Sequence, residues 1–487
     1  MVFTSPVFLF LFLPFTLIMY FLIKKEYRNA FLFIMSSLFY YYGEQKMLWL
    51  MYFVILINYA TSLFIDWVNN KKDKAEISLS KAKFINKTII ITCVLVCVGL
   101  LWYYKYWNFS ITTFNRIAAL IGLSYKLSLV DKIILPLGIS FYTFHCLSYS
   151  LDVYMGKMRA DKNLLHFATY VLMFPQLVAG PIVRYIDIKK QIENRSISAV
   201  GFGNGIRRFC FGMGKKVLIA NTVAKVVDKI FALPVQNLDA ATAWLGAIGY
   251  TLQIYFDFSG YSDMAIGIAA MFGFHYKENF NYPYISKSVS EFWRRWHISL
   301  STWLRDYVYI NLGGNRVAPL RYNCNILIVF LLSGLWHGAN MTFVAWGLWY
   351  GLFIVLENLF LKDFMKRNYV LAHLYTLLVI VFGWVMFRAN SVSIAAKYWG
   401  KMLGTSSLYA ERVLDYLNND ILLALVLGIF FSIDWRTQYK NIVLRYKSHK
   451  RFACFKTLSY AAAVLILLLC ITSVMSSTYN PFIYFRF

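Results

Sequence analysis

Charge is scarce in this chain. Asp, Glu, Lys and Arg make only 15% of its 487 residues, whereas 59% are hydrophobic and 19% aromatic. A soluble protein of this length carries more charge, so the shortage excludes an ordinary soluble fold. Acidic residues are scarcer still, 23 against 49 Lys and Arg, a formal net charge of +26. No helix–turn–helix or zinc-finger spacing accompanies that excess, which removes nucleic acid as a partner. The basic residues instead fall in short stretches between apolar runs, as cytoplasmic loops do beside anionic lipid.

Other absences narrow the class further. The short alternating segments of a β-barrel are missing. No two histidines stand at a metal spacing such as HxxxH and no Cys/His cluster occurs, so no metal site is expected. There is no GxSxG elbow. Internal repeats, the signature of many transporters, are not evident. The seven cysteines are odd in number and mostly lie in apolar stretches. Cys93 and Cys97 are one helical turn apart, which predicts packing rather than a disulfide framework. The N-terminus lacks a basic region before its apolar core and a small-residue cleavage site, so it reads as a retained first span.

What is present is a series of long apolar runs, predicting an all-α polytopic membrane protein. Spans are expected near 5–23, 29–43, 47–68, 88–107, 133–155, 240–270 (long, with a break expected), 323–337, 341–361, 369–388, 420–434 and 457–476, about 11 crossings. The mixed pieces at 108–127 and 164–180 are expected to be re-entrant or interfacial. Segment 69–87 holds six Lys and two acids, and 435–456 holds seven Lys or Arg and no acid. Both should face the cytoplasm, which places the N-terminus and the tail "SSTYNPFIYFRF" outside.

Several polar residues stand out against this background. In "EFWRRWHISLSTWLRDYVY" (291–309), Trp293, Trp296, Leu300, Leu304 and Tyr307 share one helical face. Arg294, Ser301 and Arg305 lie on the opposite flank and His297 on the border, which predicts one continuous interfacial helix. "GFGNG" (201–205) matches no nucleotide-binding spacing and reads as a hinge.

Seven histidines occur. His449 and His373 read as solvated, and His145 as a hydrogen-bonded core residue. His337, in "GLWHGAN", is different: a neutral imidazole buried among Leu, Trp and Gly is competent as a general base. Gly334, Gly338 and Ala339 would leave room for a substrate, and Asn340 would orient a group nearby. A helix–helix hydrogen bond explains His337 about as well. Asp257 and Asp263, in "YFDFSGYSDMAIG", are intramembrane carboxylates that either shape a pocket or pair with the "WRR" segment.

The stretches "PLGISFYTFHCLSYSLDVY" (136–154), "LVAGPIVRY" (177–185), "YFDFSGYSDMAIGIAAMFGF" (255–274), "NYPYISKSVSEFWRRWHISLSTWLRDYVYINLGG" (281–314), "LLSGLWHGANMTFVAWGLWYG" (331–351) and "GWVMFRAN" (383–390) together resemble the membrane-bound O-acyltransferases, in particular their bacterial alginate O-acetylation branch. The resemblance runs the whole length, and the motifs are long and specific. It implies one membrane domain over 1–487, helices around a central tunnel, with residues 477–487 as an extracytoplasmic tail motif. It places the family's invariable histidine on His337 and a second, cytoplasmic-side position on His297.

The implied reaction is acyl transfer from acetyl-CoA, with no permanently bound cofactor, to a hydroxyl, with His337 as base. Asp257, Asp263, Trp336 and Asn340 would line the substrate site. Arg294, Arg295 and Arg305 would meet coenzyme A phosphates. Related systems carry a tail tyrosine that passes acyl groups on, which makes Tyr484 a candidate carrier to a polysaccharide through an extracytoplasmic SGNH-type acetyltransferase. The implied location is a bacterial cytoplasmic membrane. D-alanyl transfer to teichoic acid from a carrier protein, and transport without covalent chemistry, are the alternatives.

Overall fold

The computed structural model describes residues 2–123, 125–131, 133–405, 413–435, 437, 449–476 and 479–481, the side chains of 364 and 449–456 excepted. Among these residues all regular structure is helical. Five helical segments are long and apolar enough to cross a membrane: Met47–Asp73, Leu79–Leu120, Met341–Leu361, Tyr369–Arg388 and Thr457–Ser476. Phe8–Leu22 and Asn419–Phe431 are shorter apolar helices. Leu22, Trp49, Leu95, Leu465 and Leu468 stand more than half exposed on such helices, as lipid-facing side chains do. The chain is a multi-pass membrane protein.

The chain packs as two compact units. The first consists of the opening two residues, Val7–Ser198 and Phe272–Tyr276. Its helices are joined by polar glue rather than by apolar contact alone, because lipid gives apolar faces no reason to leave it. Asn58 on Met47–Asp73 is the hub. Its Oδ1 accepts from Ser150 Oγ at 2.9 Å and from Cys93 Sγ at 3.4 Å, and its Nδ2 donates to Cys97 Sγ at 3.2 Å. The packing role expected for Cys93 and Cys97 is what the structure shows, and all six described cysteines are free. The mixed piece near 108–127 is largely helix, Trp107–Leu120, continuing Leu79–Leu101 through a wide turn. The piece at 164–180 forms two short helices, Leu164–Leu172 and Phe174–Leu177.

The second unit comprises Phe3–Pro6, Ala199–Met271 and Lys277–Phe487. Its spine is Ala240–Met271, one unbroken helix of 32 residues where a break was expected. Ala199–Gly214 packs along it. The glycines do the work here: a Cβ on Gly205 would lie 2.7 Å from the Gly267 carbonyl oxygen, and one on Gly212 2.7 Å from that of Gly260. The reciprocal contacts, from Gly260 and Gly267, are equally close. The glycine run therefore is not a hinge. It lies in a helix, and Gly205 lets two backbones touch.

A second close crossing joins Pro319–His337 to Met341–Leu356, where a Cβ on Gly334 would stand 3.3 Å from Gly347 Cα. Around it sits an aromatic core. Trp296 lies 4.8 Å from Trp384 and 5.5 Å from Phe292, and Trp346 5.5 Å from Trp293, between ring centroids. Each such pair adds about 0.5–1.5 kcal/mol beyond area burial.

Candidate active site

The predicted interfacial helix is broken. Val289–Arg295 and Ile298–Leu304 are separate, and His297 between them adopts a left-handed backbone, φ 43° and ψ 53°. The aromatic face itself was read correctly: Trp293, Trp296, Leu300, Leu304 and Tyr307 are all buried. The break comes from outside the segment. The carbonyl oxygen of Asn279 accepts from Ile298 N at 2.9 Å, and Asn281 N donates to Arg295 O at 2.9 Å. Glu357 caps the first short helix, accepting from Val289 N at 2.6 Å and Ser290 N at 3.2 Å. These bonds hold a turn that a histidine does not prefer.

The kink carries His297 away from the border position expected of it to complete burial. Its ring meets Phe258 edge-on at 4.7 Å and Trp336 at 5.7 Å. His337, the last residue of Pro319–His337, stands 6.4 Å from it between ring centroids. Trp336, Trp346 and Phe387 surround His337 at 4.9, 5.0 and 5.4 Å. Two histidines 40 positions apart in sequence thus share one aromatic chamber. Burial pushes the His297 imidazole down to about 3, so it is neutral at physiological pH.

The other expected site residues divide. Trp336 belongs to the chamber. Asn340 instead caps Met341–Leu356, accepting from Thr342 N at 3.2 Å, and donates to the Asn390 carbonyl at 3.3 Å. Gly334 and Gly338 do not open space for a substrate: the first serves the helix crossing, and a Cβ on the second would strike the Phe343 ring. Ala339 follows them, half-buried. Arg295 is tied to Glu291 at 2.9 Å, and Arg305 to Asp306 at 2.7 Å, while Arg294 is exposed.

Neither aspartate pairs with the "WRR" segment. Asp263 takes Arg208 and Lys215, each at 2.7 Å, and Arg208 also holds Glu278. Asp257 pairs with Lys216, both essentially without solvent exposure. Separation along the chain hid these partners, since Arg208, Lys215 and Lys216 stand 55, 48 and 41 positions before their aspartates. Two other histidines depart from expectation. His373 is not simply solvated, its Nδ1 standing 2.9 Å from the Ser286 carbonyl. His145, in the first unit, is fully buried, but neither ring nitrogen has a hydrogen-bond partner among the described residues. The His449 side chain and Tyr484 lie outside the described residues.

The tail is anchored by contacts that no sequence pattern announces. Tyr479 donates to Asp228 at 2.5 Å, and Asn480 bonds Asn221 at 3.1 Å and Thr4 at 2.7 Å. The Pro481 carbonyl accepts from Lys216 Nζ at 2.9 Å. The buried Lys216–Asp257 pair therefore grips the chain three residues before Tyr484.

The membrane-bound O-acyltransferase family model matches residues 34–396. The chain belongs to that family. It is 40% identical to the probable alginate O-acetylase AlgI of Pseudomonas putida, with all of both chains covered. It is 31% identical to the peptidoglycan O-acetyltransferase of Helicobacter pylori, covering 100% of this chain and 98% of that one. The teichoic acid D-alanyltransferase of Bacillus subtilis is 30% identical over 52% of this chain and 67% of its own. Family membership makes the protein a membrane O-acyltransferase.

Proposed function

We propose that this protein moves acetyl groups from cytoplasmic acetyl-CoA towards hydroxyls of an extracytoplasmic polysaccharide. The observation that carries this reading is the pairing of His297 and His337 in one buried chamber of the second unit. Full-length similarity to proteins named for alginate and peptidoglycan O-acetylation supports acetyl over D-alanyl transfer, whose relative covers about half the chain. A transporter predicts internal repeats, which are not evident in the sequence.

His337 takes the proton of the acceptor hydroxyl. The freed oxygen attacks the thioester carbonyl, the C–S bond breaks, and the leaving thiolate takes the proton back from His337. Holding both reactants in one chamber supplies orientation. The rings of Trp336 and Phe258 shield the reacting groups from bulk water.

The first acceptor is Tyr484. The grip of Lys216 on the Pro481 carbonyl, three positions before Tyr484, supports this assignment. The phenol ester then passes its acetyl group to a sugar hydroxyl, through an extracytoplasmic SGNH-type partner, and the tyrosine is regenerated. Exposed Arg294 and Arg305 meet the coenzyme A phosphates at the cytoplasmic side. The protein acts as one membrane domain, 1–487, of a bacterial cytoplasmic membrane, with the 477–487 tail extracytoplasmic; the basic segments 69–87 and 435–456 support that orientation. The test is thiol release by the purified protein in detergent. Acetyl-CoA should release free thiol and a D-alanyl carrier protein should not. The opposite preference would sink the acetyl reading.

A further inference from the structure

A buried amide outside every motif of the sequence governs the second histidine. Asn279 is 1% exposed and stands in the loop after Ala240–Met271. Its Oδ1 receives three groups: Ser299 N at 3.2 Å, Ser299 Oγ at 2.9 Å and His297 Nδ1 at 3.2 Å. Its Nδ2 donates to Ser262 Oγ at 3.1 Å. A backbone N–H can only donate, so the Ser299 contact fixes which amide atom is the oxygen. An amide oxygen can only accept, and Ser299 Oγ, 3.4 Å from the same ring nitrogen, already spends its one hydrogen on Asn279 Oδ1, so His297 carries its proton on Nδ1. Nε2 is then a bare lone pair. It is buried and has no hydrogen-bond partner among the described residues.

We propose that Asn279 is a positioning residue for acyl transfer: it locks His297 in the Nδ1–H tautomer, so that His297 enters the chamber as a hydrogen-bond acceptor and never as an oxyanion donor. The ring separation agrees with that role. Centroids 6.4 Å apart leave at least about 4 Å between nitrogens of His297 and His337, too far for a direct bond and suited to one bridging oxygen. That oxygen donates a hydrogen bond to His297 Nε2 and accepts one from a His337 N–H. The His337 nitrogen opposite is thereby left unprotonated for the acceptor hydroxyl, which is how a base is oriented by a third group. The same residue also straps the strained turn, since its own carbonyl holds Ile298 N. The titratable group facing His297 is His337. Arg208, Lys215, Asp263 and Glu278 line a cavity together with Asn279.

The proposal rests on the acyl-transfer reading for its kinetic arm, and a second arm needs no substrate. Asn279→Ala should lower kcat by about tenfold or more with little change in KM, because only the base is misoriented. Combined with His297→Ala it should cost no more than His297→Ala alone. Asn279→Asp keeps the acceptor but places a carboxylate on Nδ1, which favours the imidazolium. Its activity should be low at acid pH and recover with a rising limb absent from wild type. Without substrate, the thermal midpoint of Asn279→Asp in detergent should fall less steeply than wild type between about pH 6.5 and 4. Additive losses, or an Asn279→Asp protein whose pH profile and midpoints track wild type, would overturn the assignment. If the alanine variant does not fold, the near-isosteric aspartate carries both arms. If wild type shows no acetyl-CoA activity, the acyl-donor reading fails while the midpoint comparison still decides the role of Asn279.

Discussion

His145 and His297 are equally inaccessible to solvent, one in each unit, and only His297 faces a second histidine. His145 lies within Ile139–Tyr154, in regular helix, beside Tyr170 at 5.7 Å, with no hydrogen bond to either ring nitrogen among the described residues. His297 stands at a strained break, one nitrogen fixed by Asn279 and the other facing a chamber it shares with His337. Burial alone therefore does not mark function in a membrane protein. What marks it is structure spent on orientation: an unfavourable backbone, a fixed tautomer and a second titratable ring.

The largest effect that would break this contrast is kinetic. His337→Ala should lower the transfer rate by about 10²–10⁴-fold, the range of a lost general base, and His145→Ala should stay within about threefold of wild type. Comparable losses in both would erase the distinction. Next comes the charge buried beneath the tail. Lys216→Met removes the buried cation paired with Asp257 and releases the Pro481 carbonyl. Stability in detergent should drop by about 3–5 kcal/mol, seen as a lower unfolding midpoint. In the first unit the hub is neutral, so Asn58→Leu should cost less, about 1–3 kcal/mol.

Gly212→Leu should cost about 1–3 kcal/mol by prising Ala199–Gly214 off its neighbour, whereas the same change at Gly99, which has open space around it, should cost under about 1 kcal/mol. The smallest effect is the proton linkage of His297. Its imidazole falls from 6.5 unfolded to about 3 folded, so the unfolded chain binds the extra proton. The stabilising difference is complete above about pH 6.5 and is lost as pH falls towards 3. His297→Asn should flatten the fall in unfolding midpoint over that window.

Much of this was legible in the sequence. Scarce charge and long apolar runs gave the class, and the spacing of Trp293, Trp296, Leu300, Leu304 and Tyr307 gave the buried face. His337 was conspicuous because an ionisable group in lipid must be explained. The rest depended on contacts between distant positions. A left-handed histidine cannot be read from local propensity, because the strap that enforces it starts at Asn279. Asp257 and Asp263 advertised themselves, but their cations, earlier in the chain, could not be told from the Arg residues of "WRR". Glycines looked like freedom and are close packing, since a small residue signals both. The tail's anchor, Tyr479 to Pro481, held no pattern at all.

On the proposed function, His337 drives acyl transfer through this chain. Mass spectrometry of the C-terminal peptide, after incubation of the purified protein with acetyl-labelled coenzyme A, tests it most directly. The expected result is label on Tyr484 in wild type and none in His337→Ala. Equal labelling in both would contradict the role of His337, and an unlabelled wild-type peptide, with polymer acetylation intact in a Tyr484→Phe strain, would contradict the relay.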